Sequence, residues 1–413
     1  LPERAVLITT DLLPSQFVAL DTSRVAAICL AQGGATSHVA ILAAARDIPV
    51  LVALGPEVLD IAAGTPLIVD AEQGLLEAEP GPERGAAIGA ELAQRARERQ
   101  HDLAQAALPA ISADGIAISV YCNLGSAAEV PVALEHGAEG CGLLRTEFLF
   151  LDRAAPPDEQ EQAQQYRQIA ASLHGRPLTV RTLDAGGDKP LAYLELPHED
   201  NPALGLRGIR TSLWRPALLH TQLRAILQSV PPAQCRILVP MVTDLDDLRA
   251  VRRAVATAVR ELQLASTPPI GVMIETPASA LLAMQLCTEA DFLSVGTNDL
   301  GQYTLAMDRG HPELAARLDA LHPAVLQLIA LASTAAHEHG RELAVCGGLA
   351  SDPAAVPLLL GLGVRELSVV PAQIPRLKRE IRAWRLDDCR ALAQQALQLD
   401  DARAVRAMLE AAR

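Results

Sequence analysis

Aromatic side chains are nearly missing from this 413-residue chain, at 2% of residues, although half its residues are apolar. Its core must therefore be built from Ala, Leu, Val and Ile, a composition that reads as an α/β or all-α globular chain. Basic residues are also short, with 35 Lys and Arg against 49 Asp and Glu and a formal net charge of −14. That excess of acid repels phosphate backbones, which excludes nucleic-acid binding by bulk electrostatics and leaves locally clustered arginines as possible anion sites. Long apolar runs are missing too. Stretches such as Val356–Val364 are broken by Gly or Pro and fall short of the ~18 residues a spanning helix requires. No basic-then-apolar leader opens the sequence, so no membrane insertion is expected and the chain is placed in the cytoplasm. The cysteines (Cys29, Cys122, Cys141, Cys235, Cys287, Cys346 and Cys389) are odd in number, widely spaced and free of any CxxC. This argues against a disulfide framework or a structural zinc site. No internal repeat appears at a period of about 20–50 residues.

What is present divides the chain into three parts. Short apolar runs at Val6–Ile8, Val25–Leu30, Val50–Val52 and Leu67–Val69, separated by Pro, Gly and Asp, predict strands around one helix beginning near Ser37, a small α/β unit over residues 1–80. Residues 81–113 change to Gly-Pro punctuation followed by Ala, Arg, Glu and Gln, and predict a polar helical linker. From residue 114 to 413, apolar segments alternate with long Ala/Leu/Arg helical stretches. The segments are Ile116–Cys122, Gly140–Leu144, Leu178–Thr182, Arg236–Pro240, Ile270–Ile274, Phe292–Gly296, Leu343–Cys346 and Glu366–Val369. Eight such βα units suggest a closed (β/α)8 TIM barrel, with a doubly wound open sheet as the rival topology.

In a barrel of this kind the active site is built where the strands end. The residues just past the eight segments are Asn123, Arg145-Thr146-Glu147, Arg181-Thr182 with Asp184, Pro240-Met241, Glu275-Thr276, Thr297-Asn298-Asp299 and Cys346-Gly347-Gly348. Arginines, acids and a thiol at these positions would form a pocket for a small, highly charged anion with a divalent cation, since guanidinium forks suit carboxylate and phosphate, and paired carboxylates suit Mg2+. The bland alternative makes Arg145 and Arg181 structural ion-pair partners of Glu147 and Asp184, and Glu275 and Asp299 solvated acids or caps. The first unit carries a different signal, Gly33-Gly34-Ala35-Thr36-Ser37-His38. There a tight glycine turn and a capping Ser37 would present His38 at a helix N-terminus, where amide dipoles stabilise an added phosphoryl charge.

These motifs occur in a familiar order. Gly33 to His38, Gly142-Leu143-Leu144-Arg145-Thr146-Glu147-Phe148-Leu149-Phe150, Arg181-Thr182-Leu183-Asp184-Ala185-Gly186-Gly187-Asp188-Lys189, Ile274-Glu275-Thr276-Pro277, Gly296-Thr297-Asn298-Asp299-Leu300, Met307-Asp308-Arg309-Gly310 and Cys346-Gly347 follow one another. Together they resemble the phosphoenolpyruvate-utilising enzymes, and within them enzyme I of the sugar phosphotransferase system, over nearly the whole chain. The resemblance implies a swivelling phosphohistidine domain, a helical linker and a phosphoenolpyruvate-binding barrel that dimerises. It implies that His38 takes the phosphoryl group from phosphoenolpyruvate, leaving pyruvate, and passes it to a histidine-containing phosphocarrier protein. Glu275 and Asp299 would hold Mg2+. Arg145, Arg181, Arg207, Asn298 and Arg309 would bind the substrate, and Cys346 would deliver the methyl proton.

The sequence also departs from that family. Ala44 stands where the family usually has Arg, with Arg46 two residues on, and Gly348 stands where Glu usually follows Cys-Gly, a feature associated with multiphosphoryl transfer proteins. The resemblance further implies a fragment lacking the helical domain that docks the carrier. Two rival readings are a piece of a pyruvate phosphate dikinase or phosphoenolpyruvate synthase, and a non-catalytic module that senses phosphoenolpyruvate.

Overall fold

The computed structural model describes residues 2–412 apart from 14–15, 18–19, 34–38, 40–42, 44–47, 72–73, 152, 188–190, 192, 195 and 316. The chain divides into two compact units, one of Leu1–His101 with Asp308–Ala316, the other of Asp102–Met307 with Arg317–Arg413.

In the first unit, β1 (Ala5–Thr9), β2 (Val25–Leu30) and β3 (Val50–Leu51) form a parallel sheet in the order β1-β2-β3, and β4 (Leu67–Asp70) pairs antiparallel with β5 (Leu75–Ala78). β2 is apolar on both faces because both are covered. Ile28 and Leu30 pack with Phe17, Val39 and Ile48, while Cys29 packs with Ala31, Leu51 and Val58. The four expected strands are therefore found within a residue or two. The helix expected from Ser37, and with it His38, Ala44 and Arg46, lies outside the described residues. Residues Pro82–Ala104 form one long helix.

The second unit is a closed barrel. Its strands are β7 (Ala117–Leu124), β8 (Cys141–Leu144), β9 (Leu178–Arg181), β10 (Cys235–Val239), β11 (Ile270–Ile274), β12 (Phe292–Val295), β13 (Glu342–Val345) and β14 (Glu366–Val369), all parallel and in chain order. β14 returns to pair with β7, Glu366 opposite Ser119 and Val369 opposite Cys122, which closes the cylinder and sets aside the open-sheet rival. A short β6 (Ala110–Ile111) adds antiparallel to the start of β7. Between strands run helices such as Glu159–Ser172, Pro216–Ser229, Leu245–Glu261 and Pro323–Glu338, whose apolar faces pack on the barrel wall. Their starts follow ordinary capping chemistry: Asp158 accepts from Glu161 N, and Asp244 from Asp246 N and Asp247 N. Inside the barrel Leu143, Leu238, Met273, Phe292 and Cys346 form a separate apolar cluster beneath the strand ends. Among the described residues no helix is long and apolar enough to cross a membrane.

Candidate active site

The chain of charges across the barrel mouth starts where β8 stops. Arg145, Thr146 and Glu147 follow its last residue and enter a 3-10 turn, Thr146–Leu149, which turns Glu147 inward. Glu147 Oε1 accepts from Arg181 Nη2 at 2.6 Å, Arg181 being the last residue of β9. Arg181 Nη1 lies 3.4 Å from Asp184 Oδ2. Asp184 in turn receives Arg207, Nε to Oδ1 at 3.3 Å and Nη2 to Oδ2 at 3.4 Å, and Arg207 Nη1 reaches Asp299 Oδ1 at 2.8 Å. All five side chains are buried. Ionised groups can leave water together only when each is paired, and this row alternates in sign at every step. Burial works against the Arg181 and Arg207 charges, but their carboxylate neighbours outweigh it and raise both pKa values. The buried Gln222 fastens the two strand ends beneath them. It donates to Thr146 Oγ1 at 3.1 Å and accepts from Leu183 N at 2.8 Å.

Glu275 follows β11 directly and is 1% exposed. It is held in place by a helix, Pro277–Leu281, whose Thr276–Ser279 capping box fixes the turn, and by the N–H of Met241, which meets Oε1 at 2.6 Å. Met241 sits at φ 58, a left-handed conformation costing about 1–3 kcal/mol in a non-glycine residue, and the short hydrogen bond to the buried Glu275 carboxyl offsets part of that cost. At the end of β12, a Cβ on Gly296 would lie 3.0 Å from Glu275 Oε2, so the glycine leaves the carboxylate its space. Burial, then the charges of Asp299 and Asp184, push Glu275 up to about 8 against the pull of Arg181 and Arg207.

Cys346 follows β13 directly. Its N–H donates to Val295 O at 3.0 Å, and its Sγ lies 3.5 Å from the same oxygen. Burial pushes the thiol up to about 11, with Ser294, Arg181 and Arg145 pulling the other way, so the sulfur keeps its proton at neutral pH. The following turn is tied to the helix Thr297–Leu305. Asn298 Oδ1 accepts from Gly348 N at 2.8 Å, and Thr297 Oγ1 accepts from Leu349 N at 3.2 Å. A Cβ at Gly347 would lie 2.1 Å from Thr297 Oγ1, and one at Gly348 would lie 2.9 Å from Asn298 Oδ1. Only glycine fits the first position, and a side chain at the second must displace Asn298.

Arg145 differs from its neighbours. Burial holds its pKa below the ordinary value, with Glu147 only partly opposing, and its guanidinium makes no hydrogen bond or ion pair among the described residues. A half-buried cation that lacks the carboxylate partners of Arg181 and Arg207 is the arrangement expected of a group awaiting an anion.

Arg145, Arg181, Arg207, Glu275, Asp299 and Cys346 thus belong to one electrostatic cluster, each acting on others of the set. Glu275 and Asp299 are buried, not solvated, and Arg181 does pair with Glu147 and Asp184 while Arg145 does not. Arg207 is fully buried with its nitrogens engaged, and Asn298 is exposed at the rim. Arg309 is half-buried in Asp308–Ala316, a segment of the first unit. Among the described residues no group of three or more His, Cys, Asp or Glu gathers as a metal cage. Gln222, Tyr303, whose hydroxyl accepts from Arg207 Nη1 at 3.4 Å, and the tie from Asn123 Nδ2 to the Cys346 carbonyl escaped the sequence reading, because single polar residues carry no periodic signal.

A closed parallel barrel with an unpaired arginine, ionic carboxylates and a protonated thiol at its strand ends defines an enzyme of the small-anion class. The chain belongs to the phosphoenolpyruvate-utilising enzymes. Residues 98–386 match the PEP-binding domain of the PEP-utilising enzymes and residues 1–74 match their mobile domain. It is 48% identical over 410 residues to a multiphosphoryl transfer protein of Xanthomonas campestris, covering 99% of this chain and 49% of that protein. It is 40% identical to a phosphoenolpyruvate-protein phosphotransferase of Haloferax volcanii (97% of this chain, 71% of that one) and 37% identical to one of Haemophilus influenzae (99% and 72%). The chain spans about half the length of the multiphosphoryl transfer proteins it matches.

Proposed function

We propose that the chain catalyses phosphoenolpyruvate-dependent phosphorylation of its own His38, releasing pyruvate, and passes the phosphoryl group to a histidine-containing phosphocarrier protein in a sugar phosphotransferase system. The names of its relatives support the reaction type, and the unpaired Arg145 beside the Arg181 row is the observation that carries it. Arg145 and Arg181 bind the phosphate and carboxylate of the substrate, with Asn298 and Arg309 completing the grip. Arg207 adds its charge from behind Asp299. In the transfer the P–O bond of phosphoenolpyruvate breaks as a P–N bond forms to His38, and the oxygen keeps the electron pair as an enolate. Cys346, neutral at physiological pH, then gives its proton to the methylene carbon.

Mg2+ fits this site. Glu275 and Asp299 are hard oxygen donors, the charge of Asp299 helps to raise Glu275, and Gly296 has no Cβ to crowd Oε2 of Glu275. These two carboxylates would hold the ion, which supplies charge neutralisation on the substrate oxygens when bound. Residues 1–80 act as the swivelling domain, 81–113 as its linker and 114–413 as the substrate-binding barrel, through which the protein forms a homodimer in the cytoplasm.

Incubation of the full chain with labelled phosphoenolpyruvate and Mg2+ is expected to give an acid-labile phosphoenzyme and an equivalent of pyruvate, with no label on His38→Ala. A folded chain that yields neither product overturns the assignment.

A further inference from the structure

The proton donor assigned above can work only if its sulfur is aimed at one carbon, and the barrel contains a device that aims it. Asn123, near the end of β7, donates Nδ2 to the carbonyl of Cys346 at 3.1 Å, spanning the mouth between strands that are not neighbours. Because a carbonyl can only accept, the amide nitrogen must face Cys346 and Oδ1 must face the other way. There Oδ1 accepts from Ser368 Oγ of β14 at 2.7 Å. The carbonyl of Cys122, at 3.2 Å from the same hydroxyl, is the longer alternative for its single proton. Ser368 is itself seated by an absence: a Cβ on Gly142 of β8 would lie 2.6 Å from Ser368 Oγ. Asn123 and Ser368 are both buried, and both ends of the Asn123 amide are taken up by protein partners, the Cys346 carbonyl and the Ser368 hydroxyl. With the Cys346 N–H on Val295 and its carbonyl on Asn123, both peptide groups flanking the thiol are fixed.

We infer that Asn123, oriented by Ser368, is a positioning residue that directs the Cys346 thiol toward the methylene carbon of the enolate, an inference resting on the function proposed above. In that step the S–H bond breaks as a C–H bond forms. The enolate π pair takes the proton, sulfur keeps the S–H pair as thiolate, and a solvent proton restores the thiol.

The test follows two readouts on the full chain with Mg2+: phosphoenolpyruvate affinity, which reports the arginine site, and exchange of pyruvate methyl protons for deuterium, which reports the thiol. Asn123→Ala is expected to keep affinity within about 2-fold while exchange falls roughly 100-fold, the scale of an ångström of misplacement. Ser368→Ala, one bond further away and less disruptive to folding, is expected to lower exchange about 10-fold. Facial selectivity of protonation, read with stereospecifically labelled phosphoenolpyruvate, should fall in both variants, because enolate then takes its proton from water. Exchange and selectivity unchanged in both variants, or affinity falling in step with exchange, overturns the inference while leaving the enzyme assignment intact. An unsubstituted chain that neither exchanges nor releases pyruvate removes the assignment and the inference together.

Discussion

Arg207 Nη1 and Asp299 Oδ1 meet at 2.8 Å, joining the segment after β9 to the helix after β12 with the arginine fully buried. The Asp299→Ala variant strips one carboxylate from that arginine and leaves Asp184 as its remaining counter-ion. Breaking a buried pair in this way is expected to cost about 3 kcal/mol, measured by urea unfolding. Asp299→Asn keeps the shape and should fold better, yet lose Mg2+-dependent phosphoenzyme formation. If Asp299→Asn retains full activity, the metal assignment fails.

Arg145 should behave in the opposite sense. Having no partner to strand, Arg145→Ala is expected to leave the unfolding midpoint unchanged or slightly raised, since a desolvated cation is removed. The KM for phosphoenolpyruvate should rise about 10–100-fold, the worth of a charge-assisted hydrogen bond or two. Arg145→Lys should recover only part of this, because an ammonium lacks the planar fork. A large loss of stability with KM unchanged would make Arg145 a structural residue.

Much of this site was legible in the sequence because parallel barrel strands are covered on both faces and read as continuous apolar runs, so their ends could be located. Ile270–Ile274 and Glu366–Val369 have the expected bounds, and Arg181, Glu275 and Cys346 accordingly fall at strand ends. The first barrel strand shows the limit of that signal. Expected to end at Cys122, it continues to Leu124, because Asn123 is a polar residue that finds its partners inside the barrel, on Cys346 and Ser368. β5 and β6 were not anticipated, since a four-residue, half-exposed hairpin arm and a two-residue strand are too short to show a pattern. The Met241 N–H that holds Glu275 is invisible to any reading of side chains.

The raised pKa of Glu275 predicts a metal response that depends on pH. Folding lifts this carboxyl from 4.5 to about 8, so without metal the chain loses stability as pH rises through that window, the unfolded form releasing its proton first. Mg2+ requires the ionised carboxylate and offsets both its burial and the neighbouring negative charges that raised it. Thermal melts with and without Mg2+ should therefore show a stabilisation that grows from about pH 6 to about pH 8 and then levels off. Glu275→Gln should abolish both the slope and the response. A response that is flat across the window would remove Glu275 from the metal site.

Lys378 is one of only two lysines in the chain and is 1% exposed. Its Nζ donates to Gly137 O at 2.7 Å, Ala106 O at 3.0 Å and Leu108 O at 3.3 Å, and lies 2.9 Å from Glu139 Oε1. On the same helix, Arg382 Nη2 holds Leu108 O at 2.7 Å and Arg379 pairs with Asp102 at 2.7 Å. Together they fasten residues 102–109, the approach to β6, at the end of the barrel where strands begin. Conserving the length of the side chain but not its charge, Lys378→Met strands the carbonyls of Ala106 and Gly137 and the Glu139 carboxylate, while Leu108 O keeps Arg382, and should cost on the order of 3 kcal/mol in urea unfolding. Because the strand-end site lies at the opposite face, kcat/KM per folded molecule should stay within about 2-fold of the parent. Stability held and activity lost would reverse the assignment, making Lys378 a functional residue instead of the clamp on the barrel's entry segment.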